Sequence, residues 1–197
     1  MKKKKNTVIT IIVMLILAAI IVGGYFLISA RKNAENYEGS KEKNEVDNLL
    51  EKNLDSSYPV TAREVVKFYS RILKCYYNET LPEQQLGGLL DQMRKLFDEE
   101  LLAENPRDAH LADLQEEIRD FAARKCTITS YQVEQAGNII TWTDEEKNYA
   151  RVIASYTQFE KEENRYLKVY EEFILRKDDS GKWKILGWQL ADAEDMK

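Results

Sequence analysis

One histidine, two cysteines and no glycine-rich loop occur among the 197 residues of this chain. Each shortage excludes a class of chemistry. The single imidazole, His110, stands beside Asp108 and Asp113 at the start of a helical segment and reads as a solvated surface residue. No set of His, Cys and carboxylate residues falls at the spacing of a zinc site. Neither a Ser-His-Asp order, a Cys-His pair nor a phosphate-cradling loop can be assembled. The carboxylates come as runs, Asp98 to Glu100, Glu116 and Glu117, Asp144 to Glu146 and Glu160 to Glu163, the pattern of solvated faces and turns. None follows the alternating D-x-D-x-D-G loop that calcium requires. The residues therefore predict no catalytic group, no metal and no cofactor: a protein that is not an enzyme.

Positive charge is scarce after the N-terminus. The first thirty positions hold Lys2 to Lys5 and no carboxylate, whereas from Arg31 onward 25 cations face 34 acidic residues. That balance repels a phosphate backbone, and no basic stripe interleaved with aromatics is visible, so nucleic acid is not an expected partner.

What the chain does have is one long uncharged run, Val8 to Ile28. Its length matches a hydrocarbon core of ~30 Å crossed as a helix, and it predicts a transmembrane helix. A cleaved signal peptide has a shorter apolar region and ends in a small-x-small site, for which Ile28, Ser29 and Ala30 are a poor match. No cysteine follows the run, which excludes a lipoprotein anchor. The dense lysine cluster in residues 1–7 predicts a cytoplasmic tail, with the rest of the chain outside the cytoplasm on a single-pass cell-membrane anchor. Residues 29–58, rich in Lys, Glu, Asn, Asp and Ser, have the composition of a polar tether. Within it Val46, Leu49, Leu50 and Leu54 fall at helical spacing and read as transient helix.

A folded extracytoplasmic domain is expected over residues 59–190, followed by a short tail, 191–197. Thr61 and Glu64 form a capping box ahead of the helical series Val65, Tyr69, Ile72 and Tyr76. Thr80 and Glu83 repeat the box around Pro82 before a second series, Leu86 to Phe97, and Asn105-Pro106 opens a third through Leu111, Leu114, Ile118 and Phe121. From Cys126 the period changes to alternation, with strand segments ending in a hairpin, Leu175 to Leu190, that carries Trp183, Gly187 and Trp188. The fold class read from this order is α+β: three helices packed on a curved antiparallel meander of four to five strands, with Gly187 where the sheet curls most.

"REVVKFYSRILKCYYNE", "LFDEELLAENP" and "LRKDDSGKWKILGW" resemble a domain of unknown function found in membrane-anchored proteins of Gram-positive gut bacteria, a resemblance that covers Lys2 to Leu190. The closing Gly181, Trp183, Lys184 and Ile185 resemble the "G-x-W-K-I" strand of the nuclear-transport-factor-2-like superfamily. That resemblance implies a cystatin-like cone fold, which hosts isomerases, dehydratases, transport adaptors and secretion scaffolds alike.

Inside such a cone Tyr69, Tyr131, Trp142, Tyr156, Tyr170, Glu172 and Trp188 are candidate lining of a pocket; ordinary core packing of aromatics is the competing reading. Glu134, Glu171 and Glu172 are the strand carboxylates that could be buried there. Export favours a disulfide between Cys75 and Cys126, while a domain of this size also buries free thiols, so their pairing stays open. The functional expectation is a membrane-tethered binding or scaffold domain whose partner is a protein or a cell-envelope component. The alternative is a small-ligand-binding or catalytic cone with an aromatic-lined pocket. Self-association is left open.

Overall fold

The computed structural model describes residues 44–193, so the expected span at 8–28, its N-terminal tail and the last residues of the chain lie outside the described part. Among the described residues no helix is long and apolar enough to cross a membrane.

Folding starts earlier than the composition suggests. Residues 45–58, expected as the end of a tether, are built into the domain. Helix α1 (Glu45–Glu51) buries Val46 and Leu49, and Leu54 follows with 1% of its surface exposed. Polar flanks hid this segment in the sequence, but two apolar side chains on one face of the helix, with Leu54 just after it, suffice when a partner surface stands ready. That surface is α3 (Glu83–Arg94), whose Gln92 side chain donates to the carbonyls of Leu49, Leu50 and Lys52 at the end of α1. The Tyr58 hydroxyl then donates to the Trp183 carbonyl at 2.7 Å.

Helix α2 (Ala62–Asn78) begins with the expected capping box: Thr61 accepts from the Glu64 amide, and Glu64 returns to the Thr61 amide. Nine of its residues are buried, which makes it the central helix. The other two predicted caps do not form. α3 starts after Pro82 with no side-chain cap, and α5 (Arg107–Ala123) starts after Pro106 in the same way. Proline at that position presets the backbone and leaves fewer amides to satisfy. Asn105 instead donates to the Leu101 carbonyl at the end of a short helix, α4 (Glu99–Glu104), which Asp98 caps. Among the described residues five helices thus stand where three were expected in the domain. The additional ones are α1 and α4, which is separate because Leu96 and Phe97 leave the helix, Ile185 donating to the Leu96 carbonyl and the Asp98 amide donating back to Ile185.

The sheet contains β1 (Cys126–Val133), β2 (Ile140–Asp144), β3 (Lys147–Glu160), β4 (Arg165–Lys177) and β5 (Trp183–Ala191), all antiparallel to their neighbours. It is not a simple meander. β1 and β2 both pair with β3, β1 with its second half and β2 with its first, and the order is β1-β3-β4-β5. Glu134 fills the gap between them: its amide donates to the Ile153 carbonyl and its carboxylate accepts the Ile153 amide at 2.7 Å. α2 fastens β1 at both ends, Arg63 to the carbonyls of Val133 and Glu134, and Asn78 through two bonds to Ile128.

Extra residues at Thr129 and Leu186 break the register of β1 and β5, and such bulges bend a strand. Leu186, rather than Gly187, carries the bend of β5. A Cβ on Gly187 would meet nothing within 4 Å, so no close contact demands glycine there. Gly181, with φ +78°, is the glycine that the β4–β5 turn requires.

Candidate functional site

Alternation along the strands decides which side chains face the helices. The inner face carries the cross-strand row Val133, Ala154, Glu171 and Leu190, and above it Val152, Phe173 and Trp188. Three of the seven predicted lining residues meet there. Tyr69 reaches down from α2, its ring 5.2 Å from Phe173, 5.5 Å from Trp188 and 6.5 Å from Phe97. Tyr156 is buried beside it, 3.0 Å from the Ser70 hydroxyl, which donates to the Val66 carbonyl and so leaves the phenol as donor. Trp188 completes the cluster against Phe97 and Phe173 while keeping 39% of its surface exposed.

The other four lie elsewhere. Tyr131 is on the inner face but half-buried toward α2's polar side. Trp142 is exposed on β2 and stacks on Tyr149. Tyr170 and Glu172 point to the outer face, where Glu172 pairs with Arg151 at 2.6 Å and accepts from Gln189. Glu171 and Glu172 are neighbours in β4, and one step along a strand moves a side chain to the opposite face, so Glu171 is the one that turns inward.

Glu171 is the ionisable group of this face. Its Oε2 is cut off from solvent and has no hydrogen-bond partner. Burial, then the neighbouring Glu117 carboxylate, pushes its pKa up to about 7. Glu117 itself accepts a 2.5 Å hydrogen bond from the Tyr77 hydroxyl. The phenols of Tyr69, Tyr77 and Tyr156 are raised, mainly by burial, and remain protonated donors at neutral pH. Below neutrality the inner face is therefore uncharged at Glu171; above it a carboxylate forms whose Oε2 has no donor.

His110 is not a solvated surface residue. Its ring stacks on Phe97 with centroids 5.8 Å apart, and Nδ1 lies 3.3 Å from the Arg94 guanidinium. Burial, reinforced by Arg94, lowers its pKa, so it is neutral with Nδ1 as acceptor. It touches the ring cluster through Phe97, and no hydrogen bond joins it to Glu171. Neither Phe97 nor Phe173 was singled out from the sequence; their alternation and helical spacing marked them only as core. Among the described residues no three His, Cys, Asp or Glu side chains converge as metal ligands. Cys75 and Cys126 are both free, buried thiols.

This arrangement defines an α+β domain with an aromatic inner face and one proton-poised carboxyl. The chain belongs to the family described as a domain of unknown function, DUF6715, whose model matches residues 1–188. No curated protein matches it.

Proposed function

We propose that this protein is a binding domain of the nuclear-transport-factor-2-like cone type, presented outside the cytoplasm by a single N-terminal span and acting through its surface. The observation that carries this reading is the filled inner face. The rings of Tyr69, Phe97, Phe173 and Trp188 pack against one another on the inner face, which supports a packed interior over a substrate cavity. The remaining strand carboxylates have structural work, Glu134 on the Ile153 amide and Glu172 on Arg151. The uncharged run at Val8 to Ile28 and the lysines ahead of it support the anchor.

Two experiments test the proposal. A membrane-impermeant thiol probe on intact, wall-permeable cells should label Ser57→Cys and leave Asn6→Cys unlabelled; the reverse pattern removes the topology. In cells where deletion of the protein has a phenotype, Glu134→Gln, Glu171→Gln and Glu172→Gln should each restore it.

A second reading rests on one observation, the unpartnered Oε2 of Glu171 behind the exposed Trp188 and Leu190. That geometry suits a small ligand offering a hydrogen-bond donor, or acid-base chemistry near neutral pH. A Glu171→Gln protein that is folded, exported and inactive would install this reading in place of the first.

A further inference from the structure

The acidic domain carries a basic face along α2. Lys67, Arg71 and Lys74 recur at four and three residues along α2 and so share a side of the helix. Lys52, at the end of α1, reaches the same place: its ammonium lies 5.9 Å, and the Arg71 guanidinium 5.7 Å, from the centroid of the Phe68 ring. Between them runs a groove of about 460 Å³ whose lining includes Lys52, Lys67, Phe68, Arg71 and Tyr131. Its one carboxylate, Glu64, is engaged by the amides of Val60 and Thr61. Arg71 pairs with Glu45, and Lys52, Lys67 and Lys74 form no salt bridge among the described residues.

A second cleft, about 480 Å³ at the β4–β5 turn, also holds cations, among them Lys95, Lys147, Lys177 and Lys182, but carboxylates are interleaved with them. Arg176 is bound by Asp98 and Glu100, Lys184 donates to the Lys95 carbonyl, and Asp55, Asp178 and Asp179 add opposing charge. Cations outnumber carboxylates three to one in the lining of the α2 groove and seven to five in that of the second cleft.

Position selects the occupant. The chain enters the domain at Glu45, the residue bound to Arg71 on the groove's edge. From Ser29 to Asn44 is sixteen residues, a length that even fully extended spans at most about 55 Å. Held this close to a bilayer, a weak headgroup site is saturated by local concentration. The domain is acidic overall, so an anionic surface would favour the approach of this face over the more acidic parts.

We propose that the α2 groove binds the phosphate of an anionic phospholipid headgroup in the membrane that carries the chain, laying this face of the domain on the bilayer. The proposal rests on the membrane-anchored reading above.

The test uses the full chain reconstituted into vesicles of phosphatidylcholine, alone or mixed with phosphatidylglycerol. A fluorescent donor is attached at Val60→Cys on the groove rim, 82% exposed, while Cys75 and Cys126 stay buried. The acceptor is a headgroup-labelled lipid. Energy transfer should rise with phosphatidylglycerol and fall in high salt to the level seen with phosphatidylcholine alone, and the lipid-dependent rise should weaken about fivefold for each of Lys52→Glu and Lys67→Glu. Lys→Arg at both positions should preserve it. Equal transfer in both lipid mixtures, or charge-reversed variants that stay folded and transfer as before, overturns the proposal. Displacement by micromolar glycerol phosphate also overturns it, in favour of a soluble phosphate ligand. Flotation separates the two levels. A chain that floats with phosphatidylcholine vesicles but shows no lipid-dependent transfer sinks the groove alone, and a chain that does not float removes the anchor and the groove together.

Discussion

The side-chain nitrogen of Gln92 lies 2.9 Å from the carbonyl oxygen of Lys52, and the same nitrogen reaches Leu49 and Leu50 at 3.2 and 3.0 Å. One amide from α3 thus satisfies the carbonyls that end α1. Helix ends leave such acceptors without internal partners, and a seven-residue helix has little stability of its own. The close fit continues one turn back, where a Cβ on Gly88 would stand 2.7 Å from a methyl of Leu50.

Gln92→Leu removes the donor and keeps most of the bulk. Unfolding in urea should show a loss of about 2 to 3 kcal/mol, the cost of orphaned buried carbonyls. Hydrogen exchange should show residues 45–54 opening well before the sheet. Uniform exchange across the domain would mean that α1 is not held by this contact.

Asp98 ties three elements together. Its carboxylate accepts from both Nε and Nη2 of Arg176 on β4 and from the Glu100 amide at the start of α4, and its own amide donates to Ile185 on β5. The pair is nearly enclosed, with side chains 6% and 13% exposed. Asp98→Ala leaves Arg176 only the exposed Glu100 as partner and uncaps α4, and should cost about 2 to 4 kcal/mol in chemical denaturation. The double change Asp98→Leu with Arg176→Met should cost less than Asp98→Ala alone, because no buried charge is left unpaired.

Glu171 makes stability depend on pH. Its folded pKa, about 7, is above the ordinary carboxylate value of 4.5, so the folded state binds the proton more tightly than the unfolded chain. Its contribution is therefore destabilising once it ionises: stability falls as pH rises from about 4.5 and levels off above about 7. Glu171→Gln should abolish that slope and raise stability above neutrality, by on the order of 2 kcal/mol. Thermal melts of both proteins from pH 4 to pH 9 check it, and parallel profiles would refute the assignment.

The two thiols should be inert in the folded protein. Burial pushes Cys75 up to about 11, with Glu45 adding to it, and burial also raises Cys126. Alkylation at mild pH without reductant should add nothing to the native mass and two groups to the denatured mass. A denatured protein that takes up neither would reveal a disulfide.

Much of the architecture was legible in the chain. The Thr61–Glu64 box, the helical period of α2, the change to alternation at Cys126 and the final hairpin are local signals, each set by residues within a few positions of one another. Tertiary partners decided the rest. α1 looked like tether because its stability comes from Gln92 and the α3 surface, forty residues away in sequence. Leu96 and Phe97 continued a helical pattern until pairing with Ile185 drew them out of it.

The site divides along the same line. Composition and alternation put aromatics and carboxylates in the strands, but a period of two leaves the phase unassigned, and only packing against α2 turned Glu171 inward and Glu172 outward. The basic groove was invisible for a related reason. Lys52 is separated from Lys67 by a loop and a helix start, and their proximity exists only once α1 is docked beside α2. Sequence by itself determined what each element would be, since propensity, capping and periodicity act over a few residues. Tertiary structure alone decided which charges stand together and which carboxyl lost its water, since desolvation and Coulomb interactions depend on distance in space.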